Sequence, residues 1–302
     1  MKGLGVSSQA NALPSLFLLL LVLNITAYSQ TTSPDAQPGP SPTPTPSLEK
    51  QFVRNILRDQ VAIWTSPFHM SGGDMKLVVP IGLATAALIA TDRRTANELT
   101  DNGGSQDLLR ISHQVSHFGE FYSTGGIAAA FYLVGVKKHD YRARETGILG
   151  AEALIDAGIV VTVLKEITQR ARPNVPDPND DFFDGGVSFP SGHAITTFAL
   201  ATVIASEYHD HKAVQIAAYG FATAVSISRY TGRDHFLSDV LVGSALGYGI
   251  GRYVYKKHHI AESDLTNGQT KHGFMHSKWV PFASPIYSGS NHTYGLALAW
   301  GN

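Results

Sequence analysis

The chain of 302 residues contains no cysteine, and charged residues make up only 16% of it. The lack of cysteine excludes disulfide bonds, thiolate metal ligands, a cysteine nucleophile and lipid attachment through an N-terminal cysteine. Lys and Arg total 23 against 24 for Asp and Glu, so the basic excess typical of nucleic-acid-binding proteins is missing. With 43% hydrophobic residues, the composition excludes disorder of the body of the chain and fits an apolar helical protein near or in a membrane.

The first 47 residues predict an export signal followed by a linker. Lys2 precedes the apolar run Leu16–Leu23, and small residues follow the run. This order is typical of a secretory signal peptide, and the run is too short to span about 30 Å of hydrocarbon. We predict a signal peptide over residues 1–29, with an uncleaved anchor as the alternative. Residues 30–47 read as an extended linker, because proline fills six of the seventeen positions from Thr31 to Ser47. An exported, periplasmic protein is expected.

Residues 48–302 predict an all-α domain, a bundle of six or so helices. Apolar residues from Leu48 to Trp64 recur at helical spacing with charged residues between them, which indicates an amphipathic helix. We expect this helix to pack on the domain; lying along a membrane surface is the alternative. Six more apolar segments are too long for strands and rich in small residues: Leu77–Thr91, Thr124–Val136, Thr146–Leu164, Ala194–Ser206, Val214–Ser228 and Val240–Tyr255.

The apolar segments favour a water-soluble bundle with peripheral membrane contact, and an integral membrane protein is the alternative. Most of the runs are shorter than the roughly 20 residues that a spanning helix needs. Glu152 and Asp156 interrupt the longest run; we expect them to form a polar seam, or else to pair with cations of the functional site. Small residues such as Gly243 and Gly247 instead favour close packing of membrane helices.

The last forty residues differ in character from the helical body. Lys278–Pro281 and Tyr294–Trp300 predict two short strands, the second because bulky and small residues alternate with period two. We expect this β-like tail to pack on the bundle.

Three clusters of polar residues carry the chemistry. In the first, Lys165 and Arg172 are seven residues apart, almost two helical turns, and Pro173 follows directly. This spacing predicts that the two cations project from one face near the end of a helix that stops at Arg172. Two fixed cations suit an anion with several oxygens, although a solvated basic helix end would have the same pattern.

The second cluster, Ser188 to Ala194, opens a helical segment. Backbone N–H groups at a helix start favour an anion. Gly192 allows close backbone approach, Ser191 offers a hydroxyl donor, and His193 lies within the first turn. The simpler interpretation, a serine N-cap followed by an ordinary histidine, leaves Pro190 and Gly192 unexplained.

The third cluster runs from Ser228 to Asp239. His235 and Asp239 are four residues apart, so the carboxylate can accept a hydrogen bond from Nδ1 of the imidazole and leave Nε2 free to attack. Arg229 can donate to two oxygens of one phosphate.

Together the clusters resemble the signature of the type 2 phosphatidic acid phosphatase (PAP2) family, shared with bacterial acid phosphatases and vanadium haloperoxidases. The pattern is Lys, six residues, Arg-Pro; then Pro-Ser-Gly-His; then Ser-Arg, five residues, His, three residues, Asp. Every position is present in this order, with 16 residues between the first two blocks and 34 between the last two. The resemblance covers about residues 147–255, the catalytic core of the family.

The resemblance implies a mechanism. His235 would attack phosphorus and form a phosphohistidine, Asp239 would orient it, and His193 would protonate the leaving oxygen and then help to activate water. The phosphate oxygens would be held by Lys165, Arg172, Ser191, Gly192 and Arg229. Neither a metal nor another cofactor is expected, because three cations supply the charge neutralisation.

The function expected from the resemblance is a metal-independent phosphatase that acts on phosphate monoesters or diphosphates. The signature residues bind the phosphate rather than the group attached to it, so they do not identify the leaving group. The expected substrate is therefore a lipid phosphate, a polyprenyl phosphate or a small soluble phosphomonoester. A membrane surface is an expected partner, nucleic acid is not, and no protein partner can be inferred. The alternatives are a vanadate-dependent haloperoxidase and a non-catalytic phosphate-binding envelope protein.

Overall fold

The computed structural model describes residues 48–101, 105–174, 182–259, 282–288 and 293–299. The predicted signal peptide, the linker and the predicted strand Lys278–Pro281 lie outside the described residues. The chain divides into a helical unit, which holds every described residue up to His259, and a second unit that holds the described residues from Phe282 onward.

The helical unit confirms the all-α prediction, and each of the seven predicted segments falls on a helix, although the segment Leu77–Thr91 overruns its helix by two residues. Two more helices, Asp92–Asp101 and Gln106–Ser116, escaped prediction because they are short and carry no long apolar run. Short 3₁₀ turns lie at Ser66–Phe68 and His117–Gly119. The helices are α1 Leu48–Thr65, α2 Gly72–Ile89, α3 Asp92–Asp101, α4 Gln106–Ser116, α5 Phe121–Lys138, α6 Tyr141–Thr168, α7 Gly192–Glu207, α8 Lys212–Thr231 and α9 Leu237–His258.

The core forms around α7, which packs against α6, α8 and α9. On one side, Ile195 and Val203 of α7 meet Leu149 of α6 and Val254 of α9. On its other side α7 joins a second apolar cluster with α5 and α8, in which Phe131 is 4% exposed. Apolar residues on several faces of α7 therefore fix its position, and with it the position of its N-terminus.

Glycines on α9 bring that helix unusually close to α7. A β-carbon at Gly243 would lie 2.6 Å from the carbonyl oxygen of Ser191, and one at Gly247 would lie 2.3 Å from that of Ile195. Gly251 approaches the carbonyl oxygen of Ala199 in the same way. Glycines at this four-residue spacing let two helix backbones touch, so the starts of α7 and α9 are held side by side.

Helix α1 packs on the domain, as predicted, but part of its apolar surface stays exposed. Val53, Leu57 and Val61 form an outward stripe and are 69%, 66% and 65% exposed, whereas Asn55 and Asp59 are buried. The helix contacts α6, where Asn55 donates to buried Glu152, while Ile63 packs against the apolar cluster that includes Leu149. Its inward face is therefore mixed, part polar and part apolar. An apolar stripe without a protein partner is typical of a helix at a membrane interface.

Two helices, α2 and α6, are long and apolar enough to cross a membrane by length and composition. The expectation that most apolar runs are too short to span does not extend to these two helices. No residue in the apolar window of α2 is buried, whereas 61% of that of α6 is buried, as in the core helix of any bundle. The exposed surface of α2, where Leu83 is 68% exposed, is the stronger sign of membrane association.

The second unit contains an antiparallel pair of strands, β1 Phe282–Ser288 and β2 Thr293–Ala299. Phe282 lies opposite Ala299, and Ser288 lies opposite Thr293. The second predicted strand is thus found almost where expected, whereas its partner begins at Phe282, after the predicted range.

Candidate active site

Lys165 lies in the last turn of α6, but the helix ends earlier than predicted. It stops at Thr168, and Gln169 adopts a left-handed conformation with φ 44°. The prediction that Arg172 shares a helical face with Lys165 is therefore wrong. Arg170 leaves the helix axis to reach buried carboxylates, and this ends α6 before Pro173 does. The chain nevertheless returns Arg172 to within electrostatic range of Lys165.

Ser191 and Gly192 form the start of α7, as predicted. Ser191 occupies the N-cap position, yet its side chain makes no capping hydrogen bond, and its Oγ is buried without a hydrogen-bond partner. A β-carbon at Gly192 would lie 3.9 Å from Nζ of Lys165. An unused hydroxyl, an ammonium group and the free N–H groups of a helix start therefore meet at one point.

His193 is half-buried beside the turn His117–Gly119. A β-carbon at Gly119 would lie 2.7 Å from Cδ2 of His193, so the turn sits directly against the imidazole. Burial, reinforced by the positive charge of Arg229, lowers the pKa of His193 to about 3. This imidazole is therefore neutral at neutral pH, and it lies within electrostatic range of His235.

His235 precedes α9 and is only 2% exposed. Its Nδ1 lies 3.5 Å from Oδ2 of Asp239, in the first turn of α9. Burial lowers the pKa of His235, and the charges of Arg229 and Lys165 lower it further, against the opposing effect of Asp239. The imidazole is therefore held neutral, with its Nδ1 side toward the carboxylate.

Asp239 is fully buried and accepts several hydrogen bonds. Arg170 donates from Nη1 to Oδ1 over 2.7 Å, and the backbone N–H of Phe236 donates to Oδ2 over 3.0 Å. The hydroxyl of Ser188 also donates to Oδ2. Burial alone would raise the pKa of Asp239, but His235, Arg170 and Ser188 hold it below its usual range. The carboxylate therefore stays ionised next to His235.

Sequence reasoning missed Arg170, the residue that anchors this carboxylate. Its side chain is 1% exposed and forms ion pairs with Asp92 and Asp239, at 3.0 and 2.7 Å. The guanidinium also lies 4.2 Å from the ring centroid of Phe236. No spacing rule reveals Asp92, because it lies 78 residues from Arg170.

Arg229 is 8% exposed near the end of α8. Its Nη2 pairs with Asp234 at 3.0 Å, while its Nε is buried without a hydrogen-bond partner, as is the Nε of Arg172. The two guanidinium groups repel each other electrostatically. The site thus combines positive charge with hydrogen-bond donors that have no partner, which is the environment that a multiply charged anion needs.

The structure brings the predicted site residues together at one end of the bundle, where α6 ends and α7 and α9 begin. The backbone N–H of Ser191 donates to the carbonyl oxygen of Asp239 over 3.0 Å and ties the two helix starts together. Glu152 and Asp156 lie apart from this site, so they pair with no cation of it. The predicted residues are Lys165, Arg172, Ser191, Gly192, His193, Arg229, His235 and Asp239.

Comparison with known proteins places this site in a family. The PAP2 superfamily matches residues 147–262. A decaprenylphosphoryl-5-phosphoribose phosphatase of Mycobacterium tuberculosis is 31% identical over 154 residues, which are 49% of this chain and 78% of that protein. A lipid A 1-phosphatase of Porphyromonas gingivalis is 41% identical over 69 residues, so the match spans 22% of this chain and only 16% of that protein.

A solved structure, titled as the first transmembrane PAP2 type phosphatidylglycerolphosphate phosphatase from Bacillus subtilis, aligns with a TM-score of 0.47 and 23% identity over 60% of this chain and 94% of that one. The sequence match to the mycobacterial relative covers more than two thirds of that protein. The chain therefore belongs to the PAP2 superfamily, and the prediction of an enzyme of the phosphatase class is confirmed at the level of the family.

Proposed function

We propose that the protein is a metal-independent phosphatase that hydrolyses lipid-linked phosphate through a phosphohistidine intermediate. The observation that carries the proposal is Ser191 Oγ, a buried donor at a helix start that neither caps its own helix nor bonds to any described residue. A buried hydroxyl left without a partner costs free energy, and a phosphate oxygen seated between Ser191 and Lys165 would satisfy it.

In the first step of the proposed reaction, Nε2 of His235 attacks phosphorus. The nitrogen–phosphorus bond forms while the bond to the leaving oxygen breaks, and His193 donates its proton to that oxygen. Asp239 accepts from Nδ1 and balances the positive charge that the imidazole acquires. Lys165, Arg172 and Arg229, with Ser191 Oγ and the N–H of Gly192, neutralise the equatorial oxygens in the transition state.

In the second step, water replaces His235. His193 accepts a proton from the water, whose oxygen bonds to phosphorus as the nitrogen–phosphorus bond breaks. Inorganic phosphate and neutral His235 result. Because the pKa of His193 is low, the negative charge of bound phosphate must raise it before the first proton transfer.

Two observations support a lipid substrate: the names of related proteins and the exposed apolar surface of this chain. The two relatives are named for lipid A and for a decaprenyl-linked sugar phosphate. In this chain, no residue in the apolar window of α2 is buried, and α1 exposes the stripe that includes Leu57. Both surfaces suit an enzyme whose substrate lies in a bilayer. Export by the predicted signal peptide would put the site on the periplasmic side.

The test is phosphate release by the purified full chain from polyprenyl phosphate, phosphatidic acid and p-nitrophenyl phosphate, with and without brief exposure to EDTA. Turnover of the lipids that survives EDTA and is absent in His235→Ala supports the proposal. The phosphoenzyme should be trapped as an acid-labile, base-stable adduct. Full activity of His235→Ala, or hydrolysis of the soluble ester alone, would contradict it.

A further inference from the structure

A second cluster of ionisable side chains lies in the middle of α6, far from the phosphate site. Glu152 stands thirteen residues before Lys165, which corresponds to about 20 Å along a helix. Asp59 of α1, Glu152 of α6 and His258 of α9 each offer a ligand atom, and these atoms lie within 4.8 Å of one another. Asp156, one turn after Glu152, also contacts Asp59. We call these four residues the carboxylate–histidine cluster.

Burial of three carboxyl groups in this cluster costs free energy unless their charge is neutralised. Asp59, Glu152 and Asp156 are each 0% exposed. His258 is the one basic side chain of the cluster among the described residues, and its Nε2 lies 2.8 Å from Asp59. Three carboxylates face one imidazole, and buried charge in proteins is paired, neutralised by a proton or bound to a metal.

Two carboxylate oxygens of the cluster have no hydrogen-bond partner. Asn55 donates to Oε1 of Glu152 over 3.0 Å, and Gln60 donates to Oδ1 of Asp156 over 2.7 Å. The other oxygens, Oε2 of Glu152 and Oδ2 of Asp156, are buried and unpartnered. Each acid is thus fixed by an amide through one oxygen and left free at the other, which is the arrangement that second-shell amides give to metal-binding carboxylates.

The packing of α1 agrees with this arrangement. The helix leaves Val53, Leu57 and Val61 exposed but buries Asn55 and Asp59, together with part of Gln60. Burial of these polar groups is not favoured by the hydrophobic effect and needs polar partners inside. An ion bound between α1, α6 and α9 would stabilise the observed orientation.

We propose that the carboxylate–histidine cluster binds a divalent transition-metal ion of the zinc type, with Asp59, Glu152 and His258 as ligands and Asp156 as a fourth. One imidazole with carboxylates suits zinc, manganese or ferrous iron better than magnesium, which retains several waters. Tetrahedral zinc separates its ligand atoms by about 3.4 Å. The ligand atoms of the cluster lie within 4.8 Å of one another, and Nε2 of His258, which is 2.8 Å from Asp59, would move slightly away from that carboxylate when both bind the ion. The ion serves structure and takes no part in phosphate hydrolysis.

The experiment uses the full chain in detergent, stripped by prolonged dialysis against a chelator and titrated with Zn²⁺. Bound zinc is measured by mass spectrometry of the metal, and unfolding by thermal melting. We expect one high-affinity zinc per chain and a higher melting temperature with zinc. Glu152→Gln should bind zinc at least about tenfold more weakly and lose the zinc-dependent shift. Glu166→Gln, exposed on the same helix, should behave like the parent.

Two further measurements separate this proposal from its rivals. Glu152→Gln removes a buried charge, so without zinc it should melt no lower than the parent, which distinguishes lost binding from lost folding. A similar group, Glu145, Glu207 and His259, lies elsewhere in the helical unit, and Glu207→Gln should leave zinc binding intact. Failure of the parent to bind zinc, equal binding by Glu152→Gln, or a loss confined to Glu207→Gln would each overturn the proposal.

Discussion

Arg170 donates to Oδ1 of Asp239 over 2.7 Å, while the opposite oxygen of the same carboxylate faces Nδ1 of His235 at 3.5 Å. The second guanidinium nitrogen of Arg170 pairs with Asp92. A residue just beyond α6 therefore holds the acid that orients the proposed nucleophile, although Arg170 makes no contact with His235 in the described hydrogen bonds and ion pairs.

Arg170→Leu should destabilise the protein strongly. The substitution leaves Asp92 and Asp239 buried without their cation, and loss of one member of a buried ion pair typically costs about 3–5 kcal/mol. The free energy of unfolding in detergent, from urea titration, measures this loss. Arg94→Leu is the matched control, because Arg94 pairs with Glu98 on an exposed surface and should cost less than about 1 kcal/mol. Equal effects of the two changes would contradict the anchoring role.

Ser191→Ala should separate phosphate binding from helix capping. A serine that caps a helix contributes about 1 kcal/mol to stability, but Ser191 makes no such bond, so its loss should leave the melting temperature nearly unchanged. A hydrogen bond to a charged group is worth about 1.5–3 kcal/mol, and kcat/KM and inhibition by orthovanadate should therefore weaken about tenfold to a hundredfold. A destabilised protein with normal vanadate inhibition would identify Ser191 as an ordinary cap.

Activity should persist at acidic pH. His235 must be neutral to attack, and burial with the nearby cations lowers its pKa below the usual 6.5. As pH falls, kcat/KM should therefore stay high through 6.5 and decline only below it. The measurement is kcat/KM from about pH 4 to 9 with two alkyl phosphates whose own pKa values differ. A fall in rate at acidic pH that is caused by the enzyme occurs at the same pH with both substrates. An acid limb at or above 6.5 would be inconsistent with a buried nucleophile.

Local patterns predicted the helices and the signature residues, but not the contacts that depend on distant parts of the chain. Apolar periodicity located α7 and α9 because each buries apolar side chains along its length. The end of α6 was misplaced because Arg170 is drawn to Asp92, far away in sequence. Burial of Asp59 on α1 could not be predicted because its partner is His258, 199 residues later, and periodicity shows which residues share a face but not what that face meets.

Gly119→Ala should impair catalysis by crowding His193. The added β-carbon would lie 2.4 Å from Cγ1 of Val225 and 2.7 Å from Cδ2 of the imidazole, so one of these groups must move. A shift of about 1 Å at a catalytic group can cost about a hundredfold in rate, and we expect kcat to fall by tenfold or more. In Gly125→Ala the new β-carbon meets nothing within 4 Å, and stability should rise by about 0.5–1 kcal/mol with kcat unchanged. A normal kcat in Gly119→Ala would show that the position of His193 is not critical.

The proton donated by His193 should matter in proportion to the basicity of the leaving group. An alkoxide from a lipid alcohol is a poor leaving group unless it is protonated, whereas p-nitrophenolate departs readily without a proton. In His193→Gln, kcat should therefore fall about 10²–10⁴-fold for lipid and alkyl phosphates and much less for p-nitrophenyl phosphate. His113→Gln, a change at an exposed histidine of α4, is the control and should affect neither substrate. An equal loss for both substrates would instead indicate that His193 holds phosphate, because a binding contact does not depend on what the phosphate is attached to.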